Sequence, residues 1–177
     1  MNRLSSIFSK TFKEYLKETE RSNFIKRSEH NGITLWAKFQ EISTNLTSNK
    51  EYTLYKYKNY YFLTKDFDYI AHIDYSKGKI SDNGKGINSI FIDDAYSSVR
   101  GGYDILINLI LKSVKLVVSG VQLSEDAEKY YTKVLKNPKV KYILQDNEVI
   151  VTKKVKFSSS EINDIFNDNS LTIGQVK

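Results

Sequence analysis

The sequence contains no cysteine and only one proline, Pro138. Without cysteine there is no disulfide framework, no thiolate nucleophile and no zinc-thiolate site, a pattern that fits a reducing compartment. Two histidines, His30 and His72, are too few for a multi-histidine centre, so no metal is expected. No apolar run approaches the roughly 20 residues that cross a bilayer, and the N-terminus lacks an apolar core followed by a small-residue cleavage site. Neither a membrane span nor a secretory signal is therefore expected. No proline- or glycine-rich break interrupts the 177 residues, which favours one domain around one core.

Positive charge is present in modest excess. Twenty-seven lysines and arginines against 21 acidic residues give a net charge of +6, which suits an anionic ligand, a nucleic acid or an acidic protein surface without choosing among them. The lysines are spread along the chain, as on a solvated surface.

The apolar pattern supplies most of the structural signal. Residues Asn2 to about Arg27 repeat apolar side chains at three- and four-residue steps, which predicts an amphipathic basic helix. Such a helix either packs on its own domain or docks on an anionic surface. Asn31-Gly32 reads as a turn, and the following ITLWAKFQEI as a strand or short helix. Tyr52 to Leu63 predicts two strands turning at Asn59. The lysines among these tyrosines also fit a stacking platform for single-stranded nucleic acid. Asp68 to Tyr75 reads as a strand, and the polar run Ser76 to Gly86 as a long loop.

From Ile87 to Tyr131 the pattern is strand, glycine-containing loop, apolar helix, strand and amphipathic helix. Strands joined through a helix run parallel, so the Ser97 to Gly102 loop is placed at the carboxyl end of the first strand, where ligands of α/β sheets gather. Asn137-Pro138 ends the second helix, and Val140 to Leu144 and Glu148 to Val155 form a hairpin. Ser158 to Ser170 begins with serines that can cap a short helix carrying Ile162, Ile165 and Phe166 on one face. Leu171 to Lys177 gives no signal. The organisation expected is an N-terminal helical segment over 1–30, a main domain over 31–157 and a C-terminal helix and tail over 158–177.

Two stretches carry a family resemblance. Ser97 to Gly102 precedes a helix with Ile105 and Leu106, and Ser124, Ala127 and Tyr130-Tyr131 follow the second parallel strand. In this order they resemble the GNAT superfamily of acyl-CoA-dependent N-acyltransferases, over about Tyr52 to Val155. The family's pyrophosphate loop reads Arg or Gln, two residues, Gly, one residue, Gly or Ala. Here Ser97 and Arg100 stand at the first two marked positions and Gly102 keeps the third. Ser124 stands where the family has asparagine, while Ala127 and the aromatic-Tyr pair are retained. The phrasing of this segment is similar to divergent acyltransferase-like proteins of bacteriophages, which implies the cytoplasm of an infected cell or a virion.

The resemblance implies an α/β (α+β) fold with a mixed, mainly antiparallel sheet, a central parallel strand pair and flanking helices. It implies acetyl-CoA as donor, held by Val99, Arg100, Gly101, Gly102, Tyr103 and Asp104 through helix N-terminal amides, with Ser124 beside it. It assigns Tyr131 as general acid toward the departing thiolate. Asp93 and Asp94, near the end of the central strand, are candidate bases for the attacking amine. Consecutive strand residues point to opposite faces, so at most one of the two is expected to face the cleft, and both could instead terminate the strand. The acceptor would be an amine of a protein or small molecule. A catalytically silent binding or structural role, and a nucleic-acid-binding role, remain open at this point.

Overall fold

The computed structural model describes residues 12–137, 141–152 and 156–176, and all that follows concerns these. The predicted N-terminal helix lies partly outside them. Helix α1, Phe12–Phe39, runs well past Arg27 and leads through a short 3-10 turn into strands β1 (Thr44–Ser48), β2 (Thr53–Tyr57), β3 (Tyr60–Lys65), β4 (Asp68–Asp82) and β5 (Lys85–Ser97). Helix α2 (Gly102–Ile110), β6 (Leu116–Val118), α3 (Glu125–Lys136), the hairpin β7 (Lys141–Gln145) and β8 (Glu148–Thr152), α4 (Ser159–Asn167) and β9 (Leu171–Val176) complete the chain.

All nine strands form one sheet, in the order β1-β2-β3-β4-β5-β6-β9-β7-β8. Neighbours in this order are antiparallel except β5 and β6, which pair in parallel as expected, Ser89 with Leu116, Ile90 with Val117 and Phe91 with Val118; a further contact of β4 with β8 is also parallel. This is the mixed, mainly antiparallel sheet with a central parallel pair. Helices α2, α3 and α4 cover one face, over Ile73, Ile90, Ile92 and Val117 beneath α2 and over Ile143 and Ile173 beneath α3 and α4. Burying each large aliphatic side chain here contributes about 1.5–3 kcal/mol before entropy is charged. Ser124 caps α3 by accepting the Ala127 N–H at 3.3 Å. At the other end Asn137 terminates the helix, and the buried Lys141 ammonium donates to the carbonyls of Leu135 and Asn137. A cation on the last carbonyls is favoured by the helix dipole.

Helix α1 covers the opposite face over β2 to β4. Trp36 packs between Tyr55 and Phe62 and donates its indole N–H to the Phe67 carbonyl at 2.8 Å. The predicted turn at Asn31-Gly32 is corrected here, because both residues lie inside the helix. Gly32 is needed for close approach: a Cβ there would overlap the Tyr69 hydroxyl. The segment ITLWAKFQEI is accordingly helix rather than strand.

Three further expectations change. The predicted loop Ser76 to Gly86 is strand, since β4 and β5 continue to a tight turn at Asn83 and Gly84, both with positive φ. Leu171 to Val176, which gave no signal, is β9, inserted between β6 and β7. The sheet also curls until Ser81 of β4 meets Glu148 of β8, with the Ser81 N–H donating to the Asn147 carbonyl at 3.3 Å. The far halves of β4 and β5 thus join β6, β9, β7 and β8 in a closed ring. Ile80, Leu116, Val118, Tyr142 and Leu144 fill it.

His72 is buried beneath α1, with Nδ1 2.7 Å from the Tyr69 hydroxyl. Burial lowers its pKa below the ordinary 6.5, against an opposing pull from Asp94 and Asp74. The folded state therefore binds fewer protons than the unfolded state just below pH 6.5. Stability is full above that pH and is lost as pH falls from 6.5 toward the folded pKa, by at most about 1.4 kcal/mol per pH unit. Urea midpoints between pH 7.5 and 5.5 should show this slope, and His72→Asn should flatten it.

Candidate functional site

Strand β5 ends at Ser97, and the chain turns through Ser98 to Gly101 into α2. Ser98 ties this turn to β4, its N–H and hydroxyl both donating to the Ile70 carbonyl at 2.9 and 2.8 Å. Gly101 has φ 80°, a left-handed conformation that disfavours a side chain. Gly102 is required by contact, because a Cβ would overlap the Ser97 hydroxyl, itself donating to the Val99 carbonyl at 2.8 Å. The Gly102 N–H donates back to Val99, while the first-turn N–H groups of Tyr103 and Asp104 have no intrahelical acceptor. Val99 and Arg100 are exposed on the turn. The six predicted cofactor residues therefore form one structure at the carboxyl end of β5. Ser124 lies outside this turn, at the N-cap of α3.

The parallel ladder ends at Phe91 and Val118, whereas β5 continues to Ser97. Gly120 still passes near the Ile92 carbonyl, where a Cβ would sit at 3.2 Å. Beyond it, the β5 edge that faced β6 has no strand partner among the described residues. The result is a slot between diverging strands, along which the Ala95 N–H is taken by the Asp94 carboxylate.

Tyr131 is 1% exposed, packed with Leu135, Ile143, Ile162 and Ile173, and its hydroxyl lies 2.9 Å from that of Tyr103. The contact links the predicted cofactor turn to α3. Burial, and then Tyr103, raise the Tyr131 pKa well above the ordinary 10, so the phenol stays protonated. Burial raises Tyr103 too. Tyr130 packs edge-on against Tyr103, with ring centres 4.9 Å apart, and its hydroxyl exchanges hydrogen bonds with the Gln175 amide; burial pushes its pKa up to about 12. Sequence reasoning missed Gln175 because it lies on the unrecognised β9, and took Tyr103 for its backbone alone.

Strict alternation of Asp93 and Asp94 is also corrected. A bulge shifts the β4–β5 register between Asp74, opposite Asp94, and Tyr75, opposite Ile92. Asp93 is the extra residue, and both carboxylates end on the face away from α2. Asp93 accepts the Ser76 hydroxyl at 3.1 Å, while Asp94 accepts the Ala95 N–H at 2.8 Å and acts electrostatically on His72.

Asp93 also lines a cavity of about 550 Å³ at the mouth of the closed ring. A second, of about 420 Å³, lies between α3 and α4. Tyr131 is in the wall of neither. The lysine-tyrosine stretch makes no open stacking platform: Tyr61 is buried, Trp36 and Phe39 cover Tyr55 and Tyr57, and Lys56 and Lys58 lie over the rings of Tyr61 and Tyr57. Among the described residues no cluster of ligating side chains could hold a metal, and no helix is long and apolar enough to cross a membrane.

No family model matches the sequence, and no curated protein matches it. Among solved structures, the chain is similar to a tyrosine-to-phenylalanine mutant of the AtaT toxin bound to the C-terminus of the antitoxin AtaR and acetyl-CoA. That match has 13% identity and a TM-score of 0.33, covering 65% of this chain and 74% of that one. The same mutant with the AtaR C-terminus aligns at 13% identity and a TM-score of 0.32, over 65% and 72%. An overlap this loose transfers neither activity nor site residues.

Proposed function

We propose that the protein is an acetyl-CoA-dependent N-acetyltransferase acting on an amine. The observation that carries this reading is the slot opened where β5 outruns β6, with the N-terminus of α2 at the same end. A strand edge without a strand partner suits the amides of a pantetheine arm, and free helix N-terminal amides suit a pyrophosphate. Attack is direct. The amine nitrogen bonds to the thioester carbonyl carbon, the C–S bond breaks, and the sulfur takes a proton from Tyr131 while the amine gives one up toward Asp93. This needs proximity and leaving-group protonation but no cysteine. Asp93 is preferred to Asp94 as base because it lines the cavity at the slot. A phage setting belongs to this proposal as well.

Titration with CoA should shift the backbone amide resonances of residues 99–104. Gly102→Val should abolish that response, since its side chain displaces Ser97 and fills the turn. No shift with wild type at about millimolar CoA, a very weak affinity, would exclude the donor site. A second reading, a fold that binds without catalysis, is favoured by one observation: the Tyr131 hydroxyl is buried and already partnered by Tyr103. CoA binding without turnover would select it.

A further inference from the structure

The mouth of the closed ring has a chemistry of its own. Closure through Ser81 and Glu148 brings the β7–β8 turn against β4, and the resulting cavity lies where the parallel ladder ends. Its floor is Phe91, whose ring lies over Gly78 in the space a Cβ would occupy. Its polar side chains include Ser76, Asp93, Asn147, Ser170 and Thr172. Asp93 is fixed by Ser76, and the bulge turns it toward the face that Phe91 shares. The rim adds Asp146. Lys77 and Lys79 also border the cavity as part of β4, while strand alternation sets them on the other face from Phe91: Lys77 pairs with Ile90, which packs beneath α2, and the intervening Gly78 faces Phe91. On the face that Phe91 shares, the charged side chain fixed in place is the Asp93 carboxylate, and the polar groups around it are hydroxyls and amides.

We propose that this cavity binds a small, hydroxylated primary amine, with its ammonium between Asp93 and the face of Phe91 and its hydroxyls on Ser170, Thr172 and Asn147. A carboxylate fixed by a hydroxyl, beside an aromatic ring, favours a cation. About 550 Å³ accommodates a compact molecule and lies within the usual range of small-ligand sites. The assignment of this amine as acceptor rests on the acetyltransferase reading. The amine site itself does not.

Ethanolamine, D-glucosamine and O-phosphoethanolamine should be titrated in the absence of CoA, following the backbone amides of Gly78, Gly120, Asn147 and Ser170. Ethanolamine and glucosamine should give saturable shifts, and phosphoethanolamine weaker ones. Asp93→Asn should weaken glucosamine binding by about tenfold or more, as expected for a charged hydrogen-bond partner, while Lys65→Ala, on β3 and outside the cavity lining, should leave it unchanged. Gly78→Ala, which pushes the Phe91 ring into the mouth, should also weaken it. The proposal is overturned if no probe saturates by tens of millimolar, on the order of the weakest measurable affinities. Equal binding by Asp93→Asn, or tighter binding of phosphoethanolamine, overturns it too. The CoA titration reports separately on the donor reading, so amine binding without CoA binding removes the acceptor role and keeps the site.

Discussion

Tyr131→Phe should slow acetyl transfer by about 10²-fold or more while leaving acetyl-CoA affinity nearly unchanged, the scale of a lost general acid. The argument follows from the ionisation of the phenol. Because burial and Tyr103 hold the Tyr131 pKa well above 10, the proton is in place throughout the practical pH range. The same rise makes the phenol a weaker acid than a thiol, so it can serve the developing CoA thiolate only in direct hydrogen-bond contact, and the effect should fall on turnover. Removing the hydroxyl also deletes the 2.9 Å contact with Tyr103, at a cost of about 1 kcal/mol in stability. Tyr130→Phe is the matched control, since it loses the hydrogen bonds to Gln175 at a similar structural cost. CoA release by the three proteins, each with its urea midpoint, separates chemistry from packing. Equal rates would make Tyr131 a core residue only. Tyr103→Phe should retain much of the rate if Tyr103 merely occupies the hydroxyl in the absence of thioester.

The largest expected loss of stability is at Trp36. Trp36→Ala should cost about 3–5 kcal/mol, the range for removing a buried tryptophan. Trp36 is 4% exposed, packs on Tyr55 and Phe62, and holds the Phe67 carbonyl through its indole N–H. Its removal leaves a cavity beneath α1 and admits water to the surroundings of His72. The pH dependence attributed to His72 should therefore weaken in the same variant. Ile33→Ala, on the solvent side of the same helix at 49% exposed, should change stability by less than about 0.5 kcal/mol. Urea unfolding of both variants at neutral pH tests the pair. A loss near 1 kcal/mol at Trp36 would mean that α1 is held elsewhere.

The parts of this architecture visible in the sequence were those in which local pattern and tertiary role agree. Ile90 to Ile92, the apolar repeat of α2 and Leu116 to Val118 announce the parallel unit because their apolar residues are mostly buried. Ser158 and Glu161 announce α4 through reciprocal capping. The outer half of the β4–β5 hairpin was hidden because Ser76, Lys77, Lys79 and Ser81 are exposed and break the apolar alternation. Asn83-Gly84 was nevertheless a strong hairpin signal. Strand β9 was hidden for another reason: LTIGQV has few apolar residues, and both of its partners are distant in sequence. The bulge at Asp93 has no sequence mark. Adjacent aspartates permit it, but only the pairing of Asp74 with Asp94 reveals that both reach one face.

The insertion of β9 sets the order in which the chain can fold. Val118 finds its partner Gly174 roughly fifty residues later, and until β9 is in place β6 has β5 on one side and nothing on the other. The β7–β8 hairpin can form locally, yet its place in the sheet waits for the same strand. Closing so long a loop carries an entropic cost before any contact is gained, which slows folding relative to the β2–β3 and β4–β5 hairpins. During synthesis the first five strands and α2 can therefore assemble while the ring is still open. The slot and its cavity acquire their walls in the last step, so newly made chains should bind no ligand at the ring mouth until β9 has docked.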